Sequence, residues 1–240
     1  MITDKINPAI MKTKLLLAAA TLGCFTTFSG CATNDAWTTT LAPATEQFLA
    51  TGRNDYFILE PGYQLVLEGE EDGKKTTLTI TVLNETEKVG DVETRIIEER
   101  EVAAGKLVEV SRNYFALGAD SRNVYYFGED VDIYKGDQVL HEGAWRAGRD
   151  GARHGIIMPG TIKVGDRYYQ EQAPKIAMDR AENVSTSETV KTPNGTFAHC
   201  LKTRETSAVE SGTEYKLYAP GVGLVQEGEL KLVQHGLVKK

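Results

Sequence analysis

The chain has 240 residues, 27 lysines and arginines against 34 aspartates and glutamates, and a formal net charge of −7. That length can bury a real core. An acidic chain with scattered basic residues lacks the concentrated positive face of a nucleic-acid binder, and it has no polybasic patch to grip lipid headgroups.

Read from the start, residues 1–10 (MITDKINPAI) place an aspartate and a proline ahead of any basic end, which suits a functional start at Met11. From there Lys12 and Lys14 supply positive charge, and Leu15 to Phe28 an apolar run. The run is shorter than the roughly 20 residues a spanning helix needs, so it reads as a secretory signal. It closes on Phe28-Ser29-Gly30-Cys31. Small-small-Cys at that place resembles the lipobox of bacterial lipoproteins, although Phe28 stands where Leu is more usual. Cys24 follows Thr21-Leu22-Gly23 inside the run and matches less well. The resemblance implies that residues 1–30 are removed and that Cys31 is lipidated as the first mature residue. Ala32, where an Asp would favour retention in the inner membrane of enteric bacteria, leans the expectation towards the outer membrane, facing the periplasm. The plainer alternative is an ordinary cleaved signal with a cysteine nearby.

Residues 1–30 carry three lysines and one aspartate, so the remaining 210 residues have 24 basic and 33 acidic groups, a net −9. With Cys31 acylated, Cys200 is the one thiol left, which excludes an intramolecular disulfide and a Cys-based metal cage. Its setting in Phe197-Ala-His-Cys-Leu201 reads as a buried small hydrophobe.

Residues 31–54 read as a lipid-anchored tether, with one short helical turn around Pro43 to Leu49. Residues 55–240 read as a single antiparallel β domain. Tyr63, Leu65 and Leu67 alternate with polar neighbours, and Glu71-Asp72-Gly73 supplies turn chemistry. Thr77 to Val82 alternates threonine with Leu78, Ile80 and Val82, the pattern of a strand with one wet face. Val92 to Val102 reads as a solvated strand, with an amphipathic helix as the alternative. Further strands are expected at 107–117, 124–127, 131–134, 139–145, 196–203, 213–218, 223–227 and 230–233. A short helix or irregular loop is expected at Ile176 to Asn183, after Pro174. The expected fold is all-β: a strongly curved antiparallel meander, half-barrel or open barrel, with at most one or two short helices.

Candidate chemistry is sparse. The four histidines (His141, His154, His199, His235) show no metal-ligand spacing, and no serine elbow or calcium loop occurs. No cofactor, metal or catalytic residue is expected. The stretch 145–160 stands out, with Arg146, Arg149, Arg153 and His154 set among glycines. Glycines admit close backbone approach and arginines grip carboxylates or phosphates, so these four are the candidate ligand- or partner-binding residues. The alternative is a long solvated connection. Tyr125, Tyr126, Phe127, Tyr134, Tyr168 and Tyr169 read as core rather than as the lining of an apolar cavity.

Pro193 to Arg204 and Tyr218-Ala-Pro-Gly-Val-Gly-Leu-Val225, with Tyr126-Phe-Gly-Glu129 and Gly155-Ile-Ile-Met-Pro-Gly160, resemble a widespread group of bacterial secreted and lipid-anchored proteins. More distantly they are similar to the lipoprotein-carrier and lipoprotein-receptor fold, a curved sheet around an apolar hollow. The resemblance implies a non-enzymatic cell-envelope protein that binds an apolar ligand or an envelope partner. The alternatives are an assembly module docking through 145–160 or a sheet edge and, last, a periplasmic hydrolase.

Overall fold

A computed structural model describes residues 37–38, 42 and 45–238; the expected signal segment 1–30 and the expected lipidation site Cys31 lie outside them. The described chain belongs to one compact unit beginning at Trp37. Part of the stretch read as tether is therefore built into the fold.

Every named element is a strand. They are β1 Phe48–Leu49, β2 Tyr63–Glu71, β3 Lys74–Val89, β4 Val92–Ala103, β5 Lys106–Gly118, β6 Val124–Lys135, β7 Gln138–His141 and β8 Trp145–Arg146. There follow β9 Arg153–Met158, β10 Arg167–Tyr169, β11 Glu171–Gln172, β12 Asp179–Thr192, β13 Gly195–Ser207, β14 Glu214–Ala219, β15 Gly223–Glu227 and β16 Leu230–Leu237. The all-β expectation holds.

Three local expectations need correction. Phe48–Leu49 is a strand on Gly118 and Leu117 of β5, not part of a helical turn. Residues 179–183 open the long strand β12, because Arg167–Tyr169 offers them an edge to pair with. Residues 124–134 form one strand rather than two, with Gly128 at an irregularity in the pairing instead of a turn. A Cβ on Gly128 would stand 2.6 Å from the Trp145 carbonyl oxygen, so the glycine serves close approach of β8.

The sheet runs β10-β12-β13-β14-β15-β16-β2-β3-β4-β5-β6-β9-β11, all antiparallel neighbours. Its two outermost strands, β10 and β11, follow each other in the chain with only Gln170 between them. The segment 167–172 thus pairs β12 with its first half and β9 with its second, drawing the sheet almost shut into a barrel. Gly155 makes that seam possible: a Cβ there would lie 2.4 Å from the Gln170 carbonyl oxygen.

The apolar runs of β5 and β6 follow from a sheet buried on both faces. Phe115, Leu117, Val124 and Tyr126 belong to the barrel interior with Leu67, Leu201, Val225 and Leu232. Their neighbours Tyr114, Ala116, Tyr125 and Phe127 form a second cluster with Val89 and Ile96, against which Phe48 packs. Arg95, 8% exposed, secures the covering segment by donating to the carbonyls of Ala50 (2.7 Å) and Asn84 (2.6 Å).

An antiparallel meander alternates its turns between two ends. One end carries the connections at 90–91, 119–123, 159–166, 193–194 and 220–222, together with the end of β16. The other carries 72–73, 104–105, 136–137, 208–213 and 228–229. At the first end Tyr63 donates to the Val222 carbonyl (2.9 Å), and Asn194 donates to Val233 (3.2 Å).

Candidate functional site

The four residues singled out between 145 and 160 have separate surroundings. Residues 145–160 are not one long connection but β8, a turn and β9, because their backbone completes the pairing of β6. Arg146 is half of an ion pair with Asp130 (2.7 Å) and lies over the Tyr114 ring at 3.9 Å. Tyr114 itself donates to Asp130 (2.6 Å). Burial disfavours the Arg146 charge, but the Asp130 carboxylate outweighs it and holds the guanidinium pKa up. Arg153 donates to the Gln172 side chain at 2.5 Å across the β9–β11 pairing. Arg149 lies in the exposed turn between β8 and β9.

His154 sits in an aromatic cage on the outer face of β9. Its ring stacks on Phe127 (4.8 Å) and meets Tyr125 and Phe48 edge-on at 5.8 and 6.2 Å. Its Nε2 is buried with no hydrogen-bond partner among the described residues. Burial, with the nearby Arg153 charge, lowers its pKa. Such a ring packs as a neutral aromatic and does not reach out for an anion.

Two hollows accompany these elements. The smaller, about 40 Å³, is lined by Trp145, Arg146, Arg149, Asp150 and Pro174 among others. The Trp145 indole N–H is buried there without a partner among the described residues, and the space suits an ordered water. The larger is an open groove of about 310 Å³ lined by Arg53, Asn54, Asp55, Arg122, Gly160 and Gly221. Gly160 and Gly221 come from two sequence motifs that lie far apart in the chain. The Asn54 amide ties that junction together by donating to the carbonyls of Arg122 (3.2 Å), Met158 (3.4 Å) and Pro159 (3.2 Å). Arg53 forks onto Glu60 at 2.7 and 2.5 Å, which lowers the carboxyl pKa chiefly through that hydrogen bond. Arg122, at a φ of +58°, donates to the Arg53 carbonyl. Sequence reading passed over Arg53, Asn54 and Arg122 because no motif marks them; only the crossing of four connections assembles them.

Inside the barrel, Lys216 lies 3.3 Å from both Glu205 and Glu227, on three neighbouring strands. Burial opposes the Lys216 charge, but the two carboxylates outweigh it and raise its pKa. For Glu205 burial prevails and the pKa is raised. The group is a structural triad. Cys200 is fully buried, and burial raises its thiol pKa, so it packs as an apolar residue.

The remaining histidines also have separate surroundings. His141 Nδ1 meets Asp132 at 2.6 Å on the exposed β6–β7 hairpin. His235 meets Tyr63, and the His199 carbonyl accepts from Tyr56. Among the described residues no three His, Cys, Asp or Glu side chains are placed to hold a metal ion. Compared with models of known families, with curated proteins and with solved structures, the chain has no significant match.

The β7 strand differs from the rest of the sheet in one respect. It pairs with β6 through Asp132↔His141 to Lys135↔Gln138, and among the described residues no strand pairs with its other edge. Val139 at its centre is 42% exposed.

Proposed function

We propose that this chain is a non-enzymatic lipoprotein of the bacterial cell envelope, held by lipid on Cys31, that offers its barrel surface to an envelope partner protein. The observation that carries the choice of a protein partner over an apolar ligand is the close packing of apolar side chains in the interior. Leu59, Leu67, Leu117, Leu201, Val225 and Leu232 are all fully buried against one another's cluster, and the larger hollow is a polar groove outside it. An apolar ligand needs a preformed cavity of several hundred Å³ in that core. Binding is then left to the surface, where the open edge of β7 offers unpaired backbone groups for an added strand.

In a two-residue hairpin the pair beside the turn is hydrogen-bonded and the next is not. Lys135 and Gln138 flank the turn, so the Val139 N–H points to the open edge. Val139→Pro therefore blocks strand addition while sparing the β6–β7 bonds. A photo-crosslinker at Gln138 or Arg149 in cells should capture a discrete envelope protein, and Val139→Pro should abolish the Gln138 adduct. No adduct at either position, or one indifferent to the proline, would count against this surface. Mass spectrometry of the mature chain tests the anchor itself.

A further inference from the structure

Two Pro-Gly pairs, neither with a part in the edge of β7, meet at one place. Pro159-Gly160 follows β9 and Pro220-Gly221 joins β14 to β15. Both reach the open groove of about 310 Å³ where residues 53–55 and Arg122 also arrive. Gly160 serves close approach, since a Cβ on it would lie 2.2 Å from the Ser121 carbonyl oxygen. The Gly221 N–H donates to the Asp55 carbonyl at 2.7 Å.

The walls of this groove are set before anything binds. Asn54 is 7% exposed, and its amide reaches three carbonyls of the neighbouring connections. Its side-chain oxygen accepts from the Tyr56 N–H (3.0 Å), and its own N–H donates to the Phe57 carbonyl (3.0 Å). Arg53 and Asp55, on either side of it, therefore project from a fixed backbone. Such preorganisation lowers the ordering cost of binding.

The charges that line the groove fall into two kinds. Arg53 is neutralised by Glu60. Arg122 donates to the Arg53 carbonyl but forms no ion pair among the described residues, and neither does Asp55. Both are exposed, and their charged atoms lie more than 4.0 Å apart. Opposite charges that face one hollow without meeting are the complement of a molecule that carries both. A simple anion would be repelled by Asp55 and a simple cation by Arg122, whereas a dipolar ion answers the two at once.

We propose that this groove binds a small dipolar ion, its ammonium group at Asp55 and its carboxylate or phosphate gripped by Arg122. A dipeptide, through its two chain ends, and phosphoethanolamine share that chemistry. The site depends neither on lipid at Cys31 nor on the edge of β7.

The test is amide NMR of the full-length protein titrated with L-alanyl-L-alanine, its N-acetyl form, its C-terminal amide and phosphoethanolamine. The free dipeptide should shift the Asp55, Gly160 and Gly221 signals saturably, with a dissociation constant of about 1 mM for two exposed charge contacts. Each blocked form should bind about tenfold more weakly, having lost one charge-assisted hydrogen bond. Asp55→Asn should bring the dipeptide down to its acetylated form, and Arg122→Gln down to its amide, with the other amide signals unmoved. Tighter binding of phosphoethanolamine, lost in the same variants, supports the dipolar site and makes its ligand a headgroup; the reverse order makes it a peptide. The proposal is overturned if neither ligand gives a saturable shift, if the blocked forms bind as well as the free dipeptide, or if the two variants leave binding unchanged.

Discussion

His154 and Arg146 show how a side chain's neighbours, not its type, decide its work. Both stood among glycines as grips for an anion, yet Arg146 answers Asp130 and His154 packs between Phe127, Phe48 and Tyr125. The His154 cage makes a pH prediction with a definite sign. Its folded pKa lies below the ordinary value near 6.5 because burial disfavours the imidazolium. Between the two values the unfolded chain binds more protons, so stability falls as pH drops from about 6.5 towards the folded pKa and is constant above about 7. Urea midpoints at pH 7.5 and 5.5 should therefore differ more in the natural protein than in His154→Phe. An identical pH response in the two would show that the ring is not caged as described. Neither residue's partner was readable locally, since Asp130 and Arg146 meet only when β8 pairs with β6.

At the scale of elements, strands and turns were legible wherever local chemistry acted alone. Thr77 to Val82 alternates in β3 as its threonines required, and Pro220-Gly221, a pairing that favours a type II turn, forms one. There the Val222 N–H donates to Ala219 (3.1 Å) and Gly221 takes a φ of +73°, as the third position of a type II turn demands. Asn-Gly favours the two-residue loop of a hairpin, but at Asn194-Gly195 the loop lies one residue earlier: Thr192 pairs with Gly195, leaving Pro193 and Asn194 as the loop. The seam was not legible at all. Gly155 looks like any loop glycine, yet a side chain there would meet Gln170 and Tyr169 carbonyl oxygens at 2.4 and 2.5 Å. Gly155→Val should cost about 3 kcal/mol or more, since backbone on both sides leaves no room to yield. Hydrogen exchange should quicken first in 167–172. A variant with an unchanged denaturation midpoint would refute the account of the closure.

For the whole molecule the deciding property is that the curved sheet encloses a packed apolar cluster, in which Leu59, Leu67, Leu117, Leu201, Val225 and Leu232 are fully buried. Leu67 on β2 is fully buried in the interior cluster, opposite Leu232 of β16 and Leu78 of β3. Leu67→Ala should lower stability by about 2–5 kcal/mol and open a hollow where the leucine side chain is now fully buried. Titration with an apolar fluorescent probe checks both halves: the variant should bind it and the natural protein should not. Binding by the natural protein would revive an apolar ligand and weaken the case for a surface-bound partner.

Local sequence is enough to make this chain a succession of short antiparallel strands. Alternation and turn residues act over two to four neighbours and need no distant partner to be read. The likeness of Phe28-Ser29-Gly30-Cys31 to a lipobox is equally local. It takes the closed sheet to join its two ends through residues 167–172, to gather Leu67, Leu201, Val225 and Leu232 into one interior cluster, and to bring Arg53, Asn54 and Arg122 together. Those outcomes depend on register and side-chain volume summed over the whole barrel, quantities that no short window of sequence contains.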